Sequence, residues 1–227
     1  MNACFVTGTD TGVGKSLVAA ALLHRLRERH ARVVGMKPIA AGATLSADGE
    51  WRNDDVLALR AASSVDAPAA LVNPYLLQAA VSPHIAAQRE GVVIRVERIA
   101  QALRELHQHA NAIVVEGAGG FRVPLSESID GSDLAQALGL PIVLVVGLRL
   151  GCLNHTLLTA ESIAAHGLTL AGWVVNRIDP TMPEQDANIA TLARRLRAPC
   201  LGDIPHLAPP DARIAARHLA LPQDFLA

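Results

Sequence analysis

The chain carries almost no net charge. Its 227 residues include 20 Lys and Arg against 21 Asp and Glu, which gives a formal net charge of −1. Such a balance creates no general electric field for attracting a nucleic acid or an anionic membrane. Any site that binds an anion must therefore be local.

The chain also lacks a long apolar run and a basic leader. The longest apolar stretch, Pro141–Leu150, contains Gly147 and Arg149 and is far shorter than the about 20 residues that a membrane-spanning helix needs. The first segment, Met1–Val6, has no Lys or Arg, unlike a secretory signal peptide. We therefore expect a soluble cytoplasmic protein that binds neither membrane nor nucleic acid.

Cysteine is scarce as well. The chain has three, Cys4, Cys152 and Cys200, and their odd number and scattered positions do not suggest a disulfide framework. Because free cysteine is usually a buried apolar residue, we expect reduced thiols in the core of a cytosolic protein.

What the chain does contain is a series of short apolar runs with helical segments between them. Runs without polar alternation are typical of strands covered on both faces, as in a parallel sheet wrapped by helices. The predicted strands are Ala3–Val6, Arg32–Met36, Ala112–Val115, Ile142–Val146, Leu170–Val175 and Cys200–Ile204. The pattern predicts one α/β domain over residues 1–227, with a doubly wound, mostly parallel sheet of about six or seven strands.

Two stretches have no apolar periodicity. Ala40–Arg52 is rich in Gly, Ser and Asp, and Val72–Pro83 contains Asn-Pro and Ser-Pro steps. Both are predicted to be irregular, and the first to be a surface loop. Long loops at the carboxyl ends of parallel strands are where such folds bind ligands.

A glycine-rich segment follows the first predicted strand. Gly8–Ser16 reads Gly-Thr-Asp-Thr-Gly-Val-Gly-Lys-Ser and precedes a helix rich in Ala and Leu. Backbone N–H groups of such a turn converge on a phosphate, Lys15 can reach the β- and γ-phosphates, and the Ser16 hydroxyl can ligate Mg²⁺. The usual pattern has glycine where this chain has Thr9, so the loop is a variant. The segment Phe5–Ser16 predicts a P-loop NTPase fold that binds a nucleoside triphosphate with Mg²⁺.

Carboxylates for the metal follow two other segments. Glu116 ends an apolar strand and precedes Gly117–Gly120, which places it at the carboxyl edge of the sheet. Asp54 and Asp55 follow the predicted loop and can supply a second carboxylate. Because acidic residues are favoured in the first turn of any helix, this pair has an equally good structural interpretation.

Lys37 closes the second predicted strand, in Gly-Met-Lys-Pro. A lysine at that edge points toward the same cleft as Lys15, although a solvated lysine is the alternative. Positive charge at the moving phosphoryl group is what phosphoryl transfer requires. The histidines show no metal-ligand spacing.

Together these segments resemble one family, dethiobiotin synthetase, which closes the ureido ring in biotin synthesis. The resemblance spans almost the whole chain and rests on Gly8–Ser16, Lys37–Ala40, Arg52–Asp55, Asn73–Tyr75, Ser82–His84, Val115–Gly120, Val145–His155, Gly172–Asn176 and Gly202–Pro205. It implies a homodimer that converts 7,8-diaminononanoate, CO₂ and MgATP to dethiobiotin, ADP and phosphate. The reaction would proceed through a carbamate and a carbamic-phosphoric anhydride.

The resemblance also implies roles for individual residues. The triphosphate would bind to Gly12, Val13, Gly14, Lys15 and Ser16, and the base to Asn176, Pro205, His206 and Leu207. The Mg²⁺ ligands would be Ser16, Asp55 and Glu116, and the last would also contact the nucleotide. Lys15, Lys37 and Thr11 would neutralise or hydrogen-bond the carbamate and phosphoryl oxygens, with backbone N–H groups near Gly119 assisting.

The far carboxylate of the substrate would be held by the other subunit, through Gly151, Cys152, Leu153 and Asn154 at a helix N-terminus. Packing in the core is the alternative for the first three of these residues. Three positions depart from the family. Some members have Glu at Gly12, Ser at Ala41 and a carboxylate-binding Tyr at Asn188.

The main alternative is a partitioning or septum-site ATPase on the same fold. Those proteins usually place a lysine at the start of the loop, where this chain has Asp10, and often end in a basic amphipathic helix. The tail Leu219–Ala227 is short and contains proline, which does not favour membrane anchoring. A cobyrinate-type amidase would need a further glutaminase domain, and a non-catalytic nucleotide-binding subunit would tolerate loss of Lys37 and Glu116.

Overall fold

Strands and helices alternate along most of the chain in a computed structural model that describes residues 2–226. The strands are β1 (Ala3–Gly8), β2 (Val33–Met36), β3 (Ile39–Ala41), β4 (Thr44–Leu45), β5 (Trp51–Arg52), β6 (Tyr75–Leu77), β7 (Ala112–Glu116), β8 (Ile142–Gly147), β9 (Leu170–Asn176) and β10 (Cys200–Ile204). The helices are α1 (Lys15–Leu26), α2 (Asp54–Ala62), α3 (Ala69–Val72), α4 (Pro83–Arg89), α5 (Val96–His109), α6 (Gly131–Leu138), α7 (Cys152–Ala165), α8 (Gln185–Arg195) and α9 (Ala212–Ala216). None of the helices within residues 2–226 has the length and hydropathy of a membrane-spanning segment.

A six-stranded sheet lies at the centre, in the order β10–β9–β8–β1–β7–β2, and its neighbouring strands are all parallel. The six predicted apolar runs correspond to these six strands. Successive residues of one strand face different cores, as β1 illustrates: Ala3 and Phe5 pack on one side, and Cys4 and Val6 on the other. Burial on both faces explains why the runs are continuously apolar. The predicted doubly wound parallel sheet is confirmed.

Helices cover both faces of this sheet. One core lies under α1, α2 and α9, and a second lies between the sheet and α3 to α6. A third, smaller core joins α7 and α8 to β8 and β9, and it is centred on the fully buried Trp173.

Two predictions about irregular or buried positions need correction. The predicted loops hold short strands, because β3 pairs with β6 in parallel and β4 pairs with β5 as a small antiparallel ribbon. Cys200 is exposed on β10, at an edge of the sheet, and only Cys4 and Cys152 are the buried thiols that we expected.

The strand order determines which residues meet at the carboxyl edge. Strand β7 lies between β1 and β2, with Glu116 opposite Val6 and Val115 opposite Met36. Glu116 therefore lies between the glycine loop that follows β1 and Lys37, the first residue after β2.

Candidate functional site

The glycine loop connects β1 to α1 and is held close to the sheet. Gly14 caps α1 with a φ of 86°, a left-handed conformation that favours glycine. Val13 is buried, and a Cβ on Gly147 of β8 would lie 2.8 Å from a Val13 methyl group, so the strand must have glycine there. Asn176 Nδ2 donates to the Val13 carbonyl at 3.0 Å. The first turn of α1 is thus held in place, and its free backbone N–H groups form a helix N-terminus of the kind that can bind an anion.

Lys15 folds back over this loop. Its Nζ donates to the Asp10 carbonyl at 2.9 Å. Burial lowers the pKa of Lys15 to about 8, and the nearby charge of Lys37 contributes to the shift. The free loop therefore holds a lysine whose charged form is destabilised, and an anionic ligand would stabilise that form.

A cluster of one ammonium, two carboxylates and one hydroxyl lies beside the loop. Lys37 Nζ is 2.7 Å from Asp55 Oδ2 and 2.6 Å from Glu116 Oε1. Ser16 Oγ lies 2.5 Å from Asp55 Oδ1 and 2.8 Å from Glu116 Oε1, so its one proton can be donated to either carboxylate. Four predicted site residues from different parts of the chain therefore meet at one point: Ser16 of α1, Lys37 after β2, Asp55 of α2 and Glu116 of β7.

Helix capping decides which of the two candidate aspartates joins this cluster. Asn53 is the N-cap of α2, and its side chain accepts from the backbone N–H groups of Asp55 and Val56. This cap fixes the first turn with Asp55 toward Ser16 and Lys37, whereas Asp54 is exposed. The structural interpretation of the pair also holds, because both acids lie in the first turn of a helix.

Burial and charge shift the pKa values in the cluster. Burial alone would lower the pKa of Lys37, but the carboxylates of Glu116 and Asp55 hold it above its usual value. Burial alone would likewise raise the pKa of Asp55, but Lys37 and Ser16 hold it below the usual value. Glu116 is fully buried, and burial raises its pKa against the pull of Lys37.

The donor set of this cluster fits Mg²⁺. Oε2 of Glu116 is buried and has no hydrogen-bond partner among residues 2–226, and Ser16 and Asp55 present further oxygens beside it. Mg²⁺ prefers oxygen ligands and usually completes its shell with water and phosphate oxygens. Between residues 2 and 226, no group of three or more His, Cys, Asp or Glu side chains could hold a metal ion. An ion here would therefore need the serine and the nucleotide as well.

A cavity of about 360 Å³ opens next to the cluster. Lys37 and Asp55 are its charged lining residues, Thr11 and Ser82 contribute hydroxyl groups, and the other lining residues are apolar or glycine. The lining residues are Thr11, Lys37, Ile39, Ala41, Asp55, Ala80, Val81, Ser82, Pro83, Ala118, Gly119 and Val123. The cavity therefore brings the predicted substrate residues Thr11, Lys37 and Ala41 together with Gly119, which was predicted to contact the nucleotide.

The residues predicted to contact the base lie at the ends of β9 and β10. Asn176 is the last residue of β9 and touches the loop through Val13. The segment 205–207 follows β10, and His206 contacts the Arg177 carbonyl through Nδ1 at 3.3 Å. This part of the predicted site therefore lies on the side of the loop away from Lys37.

The predicted carboxylate-binding residues are not part of the cavity. Gly151 caps α7 with a φ of 96°, Cys152 is buried, and Asn154 is exposed. Asn188 lies on α8 and donates to the Glu184 carbonyl at 2.8 Å. None of these residues lines the cavity of its own chain among the residues described.

Three supporting side chains were not assigned a role from the sequence. Asn53 caps α2, and Asn73 Nδ2 donates to the Lys37 carbonyl at 2.6 Å. The signal for Asn53 was available, because Asn before two acidic residues is a typical helix start. Arg149 forms an ion pair with Asp10, and no local pattern connects two residues so far apart in sequence.

These features define a P-loop nucleotide-binding protein. The chain matches the family model described as "AAA domain" over residues 2–212. Its fold is similar to MinD cell division protein from Aquifex aeolicus, with a TM-score of 0.56 at 16% identity over 96% of this chain and 87% of that one. A ParA family ATPase from Chlorobium tepidum gives a TM-score of 0.55 at 15% identity over 96% and 91% of the two chains. At these identities the likeness concerns the fold.

Curated relatives identify the family. The chain is 57% identical to ATP-dependent dethiobiotin synthetase BioD of Ralstonia nicotianae, over 95% of this chain and 94% of that protein. It is 54% identical to the protein of the same name from Aromatoleum aromaticum, over 97% of each. The chain belongs to the dethiobiotin synthetase family, as the resemblance predicted. This membership does not favour the partitioning or septum-site alternative.

Proposed function

We propose that the chain is an ATP-dependent ligase of biotin biosynthesis that closes 7,8-diaminononanoate with CO₂ to dethiobiotin, releasing ADP and phosphate. The observation that carries this proposal is the Lys37 ammonium, held between Asp55 and Glu116 and facing a cavity that also holds Thr11. We further propose that residues 1–227 act as one cytoplasmic domain without a nucleic-acid or membrane partner.

The nucleotide would occupy the glycine loop. Backbone N–H groups of Gly12–Ser16 and the Lys15 ammonium would bind its phosphates, and Gly119 would lie close to the γ-phosphate. Asn176 and the segment 205–207 would contact the base. Ser16, Asp55 and Glu116 would hold Mg²⁺, which would supply positive charge to the β- and γ-phosphates.

The diamine would occupy the cavity beside Lys37. One amine adds to CO₂, loses a proton and becomes a carbamate, whose oxygen attacks the γ-phosphorus while ADP leaves. The second amine then attacks the carbonyl carbon of the mixed anhydride and loses a proton, phosphate leaves, and the five-membered ring closes. Lys37, Lys15 and Thr11 would stabilise the negative oxygens that form in these steps, because ammonium and hydroxyl groups donate hydrogen bonds to developing negative charge.

We propose a homodimer in which each active site is shared. The turn Gly151–Asn154 would bind the far carboxylate of a diamine held in the partner's cavity, with backbone N–H groups of a helix N-terminus as donors. Gly12 lacks the carboxylate that some family members have at this position, and Ala41 lacks their hydroxyl. Asn188 would contact the substrate carboxylate through its amide, at the position where some family members use a tyrosine.

The test is incubation with 7,8-diaminononanoate, bicarbonate and MgATP, followed by mass spectrometry of the product. We expect dethiobiotin and ADP in equal amounts, and none after removal of Mg²⁺ by EDTA. Lys37→Ala and Glu116→Gln should lose product formation, since each removes charge from the reacting complex. Arg60→Met, in the last turn of α2, is the control and should keep it. ATP hydrolysis without ring-closed product would contradict the proposal and favour a switch ATPase.

A further inference from the structure

The exposed half of the glycine loop is organised by one residue, Asp10. Its Oδ1 accepts from the Thr11 backbone N–H at 2.7 Å, and its carbonyl accepts from Lys15 Nζ at 2.9 Å. Its Oδ2 forms an ion pair with the Arg149 guanidinium. One aspartate therefore fixes the backbone at Thr11, receives the lysine of the loop, and connects the loop to a second segment.

Arg149 belongs to the turn that begins α7. It follows β8, the parallel neighbour of β1, and its carbonyl accepts from the Cys152 backbone N–H at 3.0 Å. Gly151 then caps the helix. The main chain of Arg149 thus forms the amino-terminal turn of α7, while its side chain reaches the glycine loop.

The two halves of the loop are held in different ways. Val13 and Gly14 are fixed by the buried Asn176 amide and by close packing on Gly147. Thr11 and Gly12 are exposed, and the Asp10–Arg149 pair supplies a contact to this half from outside the loop. Loss of the pair would therefore loosen Thr11 without removing the anchor at Val13.

We propose that the Asp10–Arg149 ion pair couples the glycine loop to the amino-terminal turn of α7, so that Asp10 and Arg149 are positioning residues. The inference rests on the proposed function, in which the loop binds nucleotide and the α7 turn binds the diamine carboxylate for the partner's cavity. Nucleotide bound in one subunit then orders the turn that completes the other subunit's site. By linkage, the diamine must strengthen nucleotide binding by the same factor.

The expected coupling is modest. The side chains of Arg149 and Asp10 are 42% and 45% exposed, and an exposed ion pair transmits little energy. We expect Mg²⁺ with a non-hydrolysable ATP analogue to tighten diamine binding by roughly two- to five-fold, the range that one such pair can support.

The experiment measures the dissociation constant of 7,8-diaminononanoate by calorimetry, with and without the Mg²⁺–analogue complex. In Arg149→Met the ratio of the two constants should fall to about one. Asp10→Asn should do the same, because it keeps an oxygen for the Thr11 N–H and loses the charge that Arg149 needs. The double variant should add no further loss, and Arg149→Lys should restore part of the ratio.

Arg60→Met is the matched control. Arg60 is 41% exposed and paired with Asp66, which is 85% exposed. This variant therefore removes an arginine of the same exposure as Arg149, together with its ion pair, at a position outside the loop, and it should keep the wild-type ratio. Thermal denaturation checks that each variant is folded. A wild-type ratio of one, or Arg149→Met and Asp10→Asn with the wild-type ratio, would overturn the inference while the proposed function stands. Failure of the wild-type protein to bind the diamine would overturn both.

Discussion

Removal of the Lys37 ammonium should destabilise the protein strongly. The side chain is 5% exposed, and its Nζ lies 2.6 Å from Glu116 and 2.7 Å from Asp55. Lys37→Met keeps most of the aliphatic stem and removes the charge. Glu116 is then left as a fully buried carboxylate without its cation, whereas Asp55, 40% exposed, can turn to water.

The size of the effect follows from Glu116. Breaking a buried ion pair by removing one partner costs about 3–5 kcal/mol. In a chain of this length each kcal/mol lowers the melting temperature by about 2–4 °C, which gives a decrease of roughly 6–20 °C at pH 7. Thermal or urea unfolding followed by circular dichroism measures it directly.

The loss of unfolding free energy in Lys37→Met, relative to the wild-type protein, should depend on pH in a defined direction. Burial raises the pKa of Glu116 even with Lys37 present, and loss of the ammonium raises it further. Between the unfolded-state pKa and this higher folded-state pKa, the folded protein binds more protons than the unfolded one. Stability therefore falls as pH rises through that window, and the deficit of Lys37→Met should shrink on acidification from pH 7, by at most about 1.4 kcal/mol per pH unit.

Glu116→Gln provides the decisive comparison, because the amide keeps the shape of the side chain without the charge. The double variant Lys37→Met/Glu116→Gln should be more stable than Lys37→Met at pH 7. Wild-type stability in Lys37→Met would refute the reasoning. The reasoning would also be refuted if the stability loss of Lys37→Met grew on acidification, or if the double variant were no more stable than Lys37→Met.

Three further predictions concern the loop and its supports. The pKa of Lys15 is about 8, so MgATP affinity measured by calorimetry should fall above that pH by up to about ten-fold per unit, whereas Lys15→Arg should show no such decline. Gly14→Ala should abolish nucleotide binding and lower the melting temperature, since its Cβ would lie 2.1 Å from the buried Asn176 Nδ2 at a residue with a φ of 86°; normal binding would contradict this. Asn53→Ala should cost about 1 kcal/mol of unfolding free energy and weaken Mg²⁺-dependent turnover through Asp55, and an unchanged melting temperature would count against the cap.

The sequence was sufficient for the main sheet, because burial on both faces makes each strand a continuous apolar run. It was not sufficient for the small sheets. Strands β4 and β5 have two residues each, and β3 pairs with β6 across a long intervening segment. Segments this short have no detectable period, so their conformation depends on tertiary contacts.

The part of the candidate site that could be predicted from the sequence consists of residues at the carboxyl ends of predicted strands. Lys37 and Glu116 were expected at one edge, and the structure places them in contact. The choice between Asp54 and Asp55 depends on the rotation of α2, which the Asn53 cap sets and composition alone does not. The Asp10–Arg149 pair joins residues 139 positions apart, a contact that only the folded sheet creates.

The position of β7 between β1 and β2 also has a consequence for biosynthesis of the chain. The first two strands are complete by Met36, yet they do not pair with each other and are joined only when Ala112–Glu116 is inserted. Until that segment leaves the ribosome, β1 and β2 are strands with mostly apolar side chains whose backbone groups lack their β7 partner, and unpaired strands of this kind favour aggregation. The strand that carries Glu116 is therefore also the one that joins β1 to β2. A nascent chain cannot bring Ser16, Lys37 and Glu116 together before this strand has been inserted into the sheet.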